Sequence, residues 1–136
     1  MSAPRPLWAR IAGFGAVGVA GFLVDAGVLL ALKPHFGPIW ARAASFSVAV
    51  ATTFTLNRLF VFTHARDGTI AKQFVRFLLS NAVGLSLNLA AYTALIFSNL
   101  ELLSRPLVAL AAGSIAGAAA NFLLADRWAF GRRRPD

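Results

Sequence analysis

Four long apolar runs, separated by short polar gaps, constrain this chain more than any other feature. They cover about Ile11–Leu32, Ile39–Phe62, Phe74–Phe97 and Pro106–Phe130. Each has the roughly 20 mostly apolar residues that a helix needs to cross a bilayer. Four such spans occupy most of the 136 residues and leave no room for a separate aqueous domain. Composition agrees: 58% of residues are hydrophobic and 13% charged, against about 45–50% and about 25% in an ordinary soluble domain. The expected fold is all-α, a polytopic four-helix membrane bundle in one domain spanning residues 1–136. The gaps carry the turn signals. Lys33-Pro34 and Gly37-Pro38 are expected to end the first span, and residues 64–69 to end the second, while Pro38 and Pro106 stand near helix starts, where a missing N–H costs little. A cleaved leader is the competing reading of the first run, but its length exceeds the roughly 7–15 residues of a signal core.

Charge sets orientation. Lys and Arg outnumber Asp and Glu by 13 to 5, for a formal charge of +8. Nucleic-acid binding would explain the charge but none of the spans. In a membrane chain the bias records topology. Arg5, Arg10, Arg58, Arg66, Lys72, Arg76, Arg127 and Arg132–Arg134 fall on one side of the expected bundle, with only Lys33, Arg42 and Arg105 on the other. Ten against three is expected to put both termini and the middle loop of a multi-pass protein in the cytoplasm. Trp8, Trp40 and Trp128 fall at expected interfaces, where an amphipathic ring is at home.

The chain also matches itself. An offset of 63 aligns the first and third spans, pairing Phe14 with Phe77, Gly21 with Gly84, Asp25 with Asn88 and Leu32 with Leu95. An offset of 68 aligns the second and fourth, pairing Phe54 with Phe122, Leu56 with Leu124, Phe60 with Trp128 and Phe62 with Phe130. Two parallel two-helix repeats are expected, and transporters often bind substrate where such repeats meet.

Polar residues inside the spans are the candidate functional groups. Asp25 lies mid-span, where a carboxylate is costly and needs a partner or a wet cavity. Gly18, Gly21 and Asp25 share a helical face, as do Asn81, Gly84 and Asn88. Asn57-Arg58 and Asp126-Arg127 sit just inside aromatic stops at the cytoplasmic ends of spans two and four. The guanidinium fork suits phosphate oxygens at headgroup depth, although simple positive-inside anchoring would place arginines there too. Asn121 lies deeper, in a small apolar stretch, and serves either as helix glue or as part of a ligand site. Gly113 and Gly117 form a GxxxG pattern that permits close packing, within the bundle or across a dimer. No cysteine is present, and no nucleotide loop, nucleophile elbow or metal-ligand spacing occurs. His35 and His64 are expected on opposite sides. No catalysis, metal or cofactor is therefore expected.

Taken together, Phe14-x6-Gly21-x3-Asp25, Asn57-Arg58-x-Phe60-x-Phe62, Gln73-Phe74-x-Arg76-Phe77 and Asn121-Phe122-x4-Arg127-Trp128-x-Phe130 resemble the GtrA-like family of small four-span membrane proteins. The resemblance covers about residues 10–130. The family's helix ending reads Asn-Phe-x-x-Asn-Arg-x-Trp-x-Phe. Span two departs from it at Thr53 and Phe60, and span four at Ala125 and Asp126, with Arg127 one place late. The resemblance implies a part in cell-surface polysaccharide or glycolipid synthesis, either moving a polyprenyl-phosphate-linked monosaccharide across the membrane or assisting a glycosyltransferase. In the first role Arg58 and Arg127 would hold the lipid phosphate, and Asn57, Asn121 and Asp126 would bind sugar or phosphate. Asp25 and Asn88 would give the head group a polar path past the midplane. So small a bundle can hardly enclose a saccharide alone, so a homodimer is expected. A non-transporting accessory subunit and a small proton-coupled multidrug exporter are the rival readings. The exporter fits poorly, because such carriers have nearly symmetric loop charges and use Glu.

Overall fold

A computed structural model describes residues 5–63 and 69–131. His64, Arg66 and the Arg132–Arg134 tail lie outside the described residues. The described residues are helical throughout, apart from turns, with no strand. Three helical segments are long and apolar enough to cross a bilayer: Leu7–Val61, Ile70–Ile96 and Pro106–Ala129. The chain divides into two compact units, Met1–Asp67 and Gly68–Asp136.

The N-terminal unit is built on α1, Leu7–Leu56. A straight helix of that length would extend about 75 Å at 1.5 Å per residue, far more than a hydrocarbon core of about 30 Å. It is not straight. Gly37 leaves helical geometry at φ 74° and ψ 170°, a conformation essentially reserved for glycine. Pro38 follows it, disfavouring helical ψ at residue 37 and fixing φ at the start of the next arm. The arms 7–36 and 38–56 fold back on each other, so that Thr53 lies against Gly21 and Val61 against Gly13. The expectation that Lys33-Pro34 would help end the first span is corrected here. Both residues remain helical, and the glycine alone has the freedom to turn the chain.

In the second arm the buried positions Ala41, Ser45 and Ala49 recur every four residues, the spacing of one helix face. The arm then widens into a π-helical turn, Asn57–Val61, whose carbonyl at Asn57 accepts from the Phe62 amide at 2.8 Å. Phe62 is fully buried and meets Phe14 edge-on, with ring centroids 6.3 Å apart.

The C-terminal unit pairs α2, Ile70–Ile96, with α3, Pro106–Leu124. Pro106 opens α3 at its first turn, where its missing donor would be unpaired in any case. The packed face of α2 is Gln73, Phe77, Ser80 and Gly84, and that of α3 is Ala109, Gly113, Gly117 and Phe122. Gly113 and Gly117 bring the backbones together. A side-chain carbon at Gly117 would stand 2.7 Å from the Gly84 carbonyl, and one at Gly113 2.7 Å from that of Asn88. The GxxxG pattern is therefore used within this unit. α3 also ends in a π-helical turn, Ala125–Ala129, with the Phe130 amide donating to Ala125 at 2.8 Å. Phe130 is fully buried and packs on Phe77 at 5.9 Å.

Candidate functional site

In the N-terminal unit the polar residues separate into two places. Asp25 is half-buried on the first arm, and Arg42 reaches it from the second: Nη1 donates to Oδ2 at 2.5 Å. The carboxylate side chain is 18% exposed and the guanidinium side chain 55%. Oδ1 of Asp25 is shielded and has no hydrogen-bond partner. Ser45 is fully buried beside this pair and donates to the Arg42 carbonyl at 3.1 Å. Charge counting puts Arg42 among the outer-side topology residues. Its role as the partner of Asp25 depends on how the arms are rotated and staggered.

The second place is the π-turn at the far end of the same arm. Asn57 is 2% exposed, and its Oδ1 also lacks a partner. Arg58, next in the chain, is half-buried. The Gly21–Thr53 contact lies between the two places, so Asp25 is not brought to Asn57 and Arg58. The π-turn matters because one extra residue in the turn re-aims the side chains that follow it. It sends Asn57 and Val61 inward and leaves Leu59 and Phe60 exposed.

In the C-terminal unit Asn88 and Asn121 lie at one helix crossing, each against a glycine of the facing helix. Asn121 lies against Gly84, and Asn88 packs over Gly113 and Gly117. Oδ1 of Asn121 is shielded without a partner. Asn81, grouped with Gly84 and Asn88 by helical spacing, instead donates to the Phe77 carbonyl of its own helix at 2.8 Å. Gly18, grouped with Gly21 and Asp25, is exposed, with open space where a side chain would go. Spacing defines a face of about 100° but not which edge of it is packed.

Asp126 and Arg127 stand in the C-terminal π-turn, the first half-buried and the second exposed. Arg76 joins them from α2. Its Nη1 donates to the Trp128 carbonyl at 3.3 Å, and its guanidinium lies 5.8 Å from the indole centroid, within cation–π range. Arg76 belongs to the Gln73-Phe74-x-Arg76-Phe77 motif, and neither that motif nor the charge count assigns it a partner.

Chemically, Asn57 in its π-turn and Asn121 within two turns of the other π-turn are amide acceptors that have no donor of their own, each ahead of a guanidinium donor, Arg58 or Arg127. A buried acceptor left unpaired costs about 1–3 kcal/mol, so Asn57 and Asn121 are suited to a ligand rich in hydroxyl groups. The neighbouring arginines are suited to an anion.

A family model described as GtrA/DPMS, transmembrane domain, matches residues 13–130. No curated protein matches the chain.

Proposed function

The chain belongs to the GtrA/DPMS transmembrane-domain family and is a multi-pass membrane protein; on that premise we propose that it flips a polyprenyl-phosphate-linked monosaccharide across the cytoplasmic membrane. The family supports a part in glycolipid or polysaccharide synthesis. In this reading the protein is a carrier rather than an enzyme. The two arms of α1 and the helices α2 and α3 make four crossings, as two parallel hairpins with both termini in the cytoplasm, and two copies act together.

One observation carries the reading: Asn57 Oδ1 and Asn121 Oδ1 are both buried and without a donor, on helices that end within two turns in Arg58 and Arg127. In each unit a sugar phosphate answers both needs, because its hydroxyls donate to the amide and its phosphoryl oxygens accept from the guanidinium group. A bare phosphate would satisfy only the arginines. Asp126 supplies a further acceptor for sugar hydroxyls. Asp25 and Asn88 lie deeper in their units and offer polar contacts along the way, while the isoprenoid chain stays in lipid.

The test uses proteoliposomes loaded with a labelled polyprenyl-phosphate sugar. Wild-type chain is expected to accelerate exchange between leaflets, and Arg58→Ala with Arg127→Ala to abolish the acceleration. Translocation unchanged in that double variant overturns the phosphate-holding role. No flipping by wild type, together with stable co-purification of a glycosyltransferase, would assign the chain to an accessory role that anchors the enzyme.

A further inference from the structure

Arg42 and Asp25 use less of their bonding capacity than an ion pair at this separation allows. A guanidinium facing a carboxylate commonly makes two parallel hydrogen bonds. Here one nitrogen, Nη1, meets one oxygen, Oδ2. The other carboxylate oxygen has no partner, and more than half of the arginine side chain is exposed. The pair also stands in a distinctive place. Arg42 and Arg58 are sixteen positions apart on one arm, about 24 Å at 1.5 Å per residue, which is close to the thickness of a hydrocarbon core. Arg42 is thus near the Gly37 turn, and Arg58 at the opposite end. At the offsets of 63 and 68, the C-terminal unit has Asn88 and Leu110 instead of Asp25 and Arg42. The charged pair is therefore not required to build such a hairpin.

We propose that Arg42 and Asp25 form a second phosphosugar subsite, at the Gly37 end of the N-terminal unit, where Arg42 takes the lipid phosphate and Asp25 both competes for Arg42 and accepts a sugar hydroxyl. This rests on the carrier reading and extends it to the far side of the membrane. An anion that crosses a bilayer needs a cation at its destination, and the site must bind weakly enough to release it. Asp25 provides that weakening. While no phosphate is bound, its carboxylate holds the guanidinium inside the membrane, where an unpaired charge is costly. An arriving phosphate exchanges with Oδ2 at Nη1 and uses the exposed donors of the fork. Ser45, buried and bonded to the Arg42 carbonyl, places its hydroxyl beside the Asp25 carboxylate.

Trp40, two residues from Arg42 and largely exposed, is a built-in reporter. With Trp8→Phe and Trp128→Phe as background, the full chain in neutral detergent is titrated with neryl phosphate, a short isoprenyl phosphate. A saturable change in Trp40 fluorescence is expected. Arg42→Gln should raise the midpoint at least tenfold, whereas Asp25→Asn should lower it severalfold by removing the competitor. That opposite sign separates a ligand subsite from a structural ion pair, for which both variants would act alike. The charge-swapped chain, Asp25→Arg with Arg42→Asp, keeps a pair to hold the hairpin and should lose the response while retaining its helical circular dichroism. The assignment is overturned if Asp25→Asn and Arg42→Gln shift the midpoint in the same direction, or if wild type shows no saturable response. Equal midpoints with phosphatidylglycerol micelles or inorganic phosphate also overturn it, in favour of a general headgroup contact or a free-anion seat. Binding is read without transport. A chain that flips nothing but passes this test keeps the subsite and loses the carrier reading, and one that flips at full rate with Arg42→Gln loses the subsite alone.

Discussion

The two units use the same positions for packing and different positions for polarity. At the offsets of 63 and 68, Val17 corresponds to Ser80, Gly21 to Gly84, Ala41 to Ala109, Ser45 to Gly113, Ala49 to Gly117, Phe54 to Phe122, Asn57 to Ala125 and Val61 to Ala129. Every member of these pairs is buried. Each unit ends in a five-residue π-turn followed by a fully buried phenylalanine against a matching ring. Polar groups do not follow this agreement. The N-terminal unit has an ion pair near its turn and a buried amide in its π-turn. The C-terminal unit has no charge at the positions of Asp25 and Arg42, and two of its amides, Asn88 and Asn121, lie at the helix crossing. What both units share serves the scaffold. Where they differ, packing does not require the residue that is present, and those differences hold nearly all of the candidate site.

The largest test of the shared part removes the aromatic closure from each unit in turn. In a soluble core, Phe→Ala costs about 3–5 kcal/mol. Lipid surroundings remove much of the transfer contribution but leave the loss of packing. Phe62→Ala and Phe130→Ala are each expected to lower the midpoint of thermal unfolding in detergent, by amounts that agree within about 0.5 kcal/mol when converted. A large effect in one unit and none in the other would break the comparison at its strongest point.

A smaller effect probes the polar difference. Asn88→Asp places a carboxylate where the C-terminal unit has no cation, and Leu110→Arg supplies one. If the Asp25–Arg42 pair depends only on the hairpin geometry that the units share, the double variant should recover at least half of the stability lost by Asn88→Asp. A coupling energy of about 1 kcal/mol is expected in the double-mutant cycle. No coupling would show that the arms of α1 and the pair α2–α3 are staggered differently, and would sharpen the comparison at that point.

Much of this was legible in the chain, for physical reasons that can be named. Long apolar runs signal helices by length alone, and Gly37-Pro38 signals a turn because one residue permits the required φ and the next cannot continue the previous arm. The offsets pick out Phe14 with Phe77 and Phe62 with Phe130, residues that close their units in like fashion. What stayed hidden depends on rotation and stagger. Whether Arg42 points to an interface or back to Asp25 is decided by a rotation of the second arm that no periodicity records. Asn81 could face either a neighbouring helix or its own carbonyls, and Gly18 could be packed or open, at the same spacing. The π-turns were also illegible, because Asn57–Val61 and Ala125–Ala129 have no residue that demands the wider turn. Among the candidate residues, the sequence therefore indicated which were polar and roughly how deep they lay, but not their partners.

The finest test concerns how closely each pair of helical arms approaches. Ala49 and Gly117 are corresponding positions, so the N-terminal unit already accommodates a methyl group where the C-terminal unit has none. At Gly117 that methyl would stand 2.7 Å from the Gly84 carbonyl and 2.9 Å from the Asn88 side chain, and a backbone oxygen has little freedom to retreat. Gly117→Ala is therefore expected to cost about 1–3 kcal/mol from overpacking, offset in part by the roughly 1 kcal/mol that alanine gains over glycine in a helix. Ala49→Gly, the reverse exchange, should cost that propensity and the packing of one buried methyl group. Gly18→Ala, in open space, should be neutral or slightly stabilising. Thermal unfolding of the three variants in one detergent gives the order directly. If Gly117→Ala proves as mild as Gly18→Ala, the C-terminal crossing can open by the width of a methyl group, and Asn88 and Asn121 would then line a crossing able to admit a hydroxyl group.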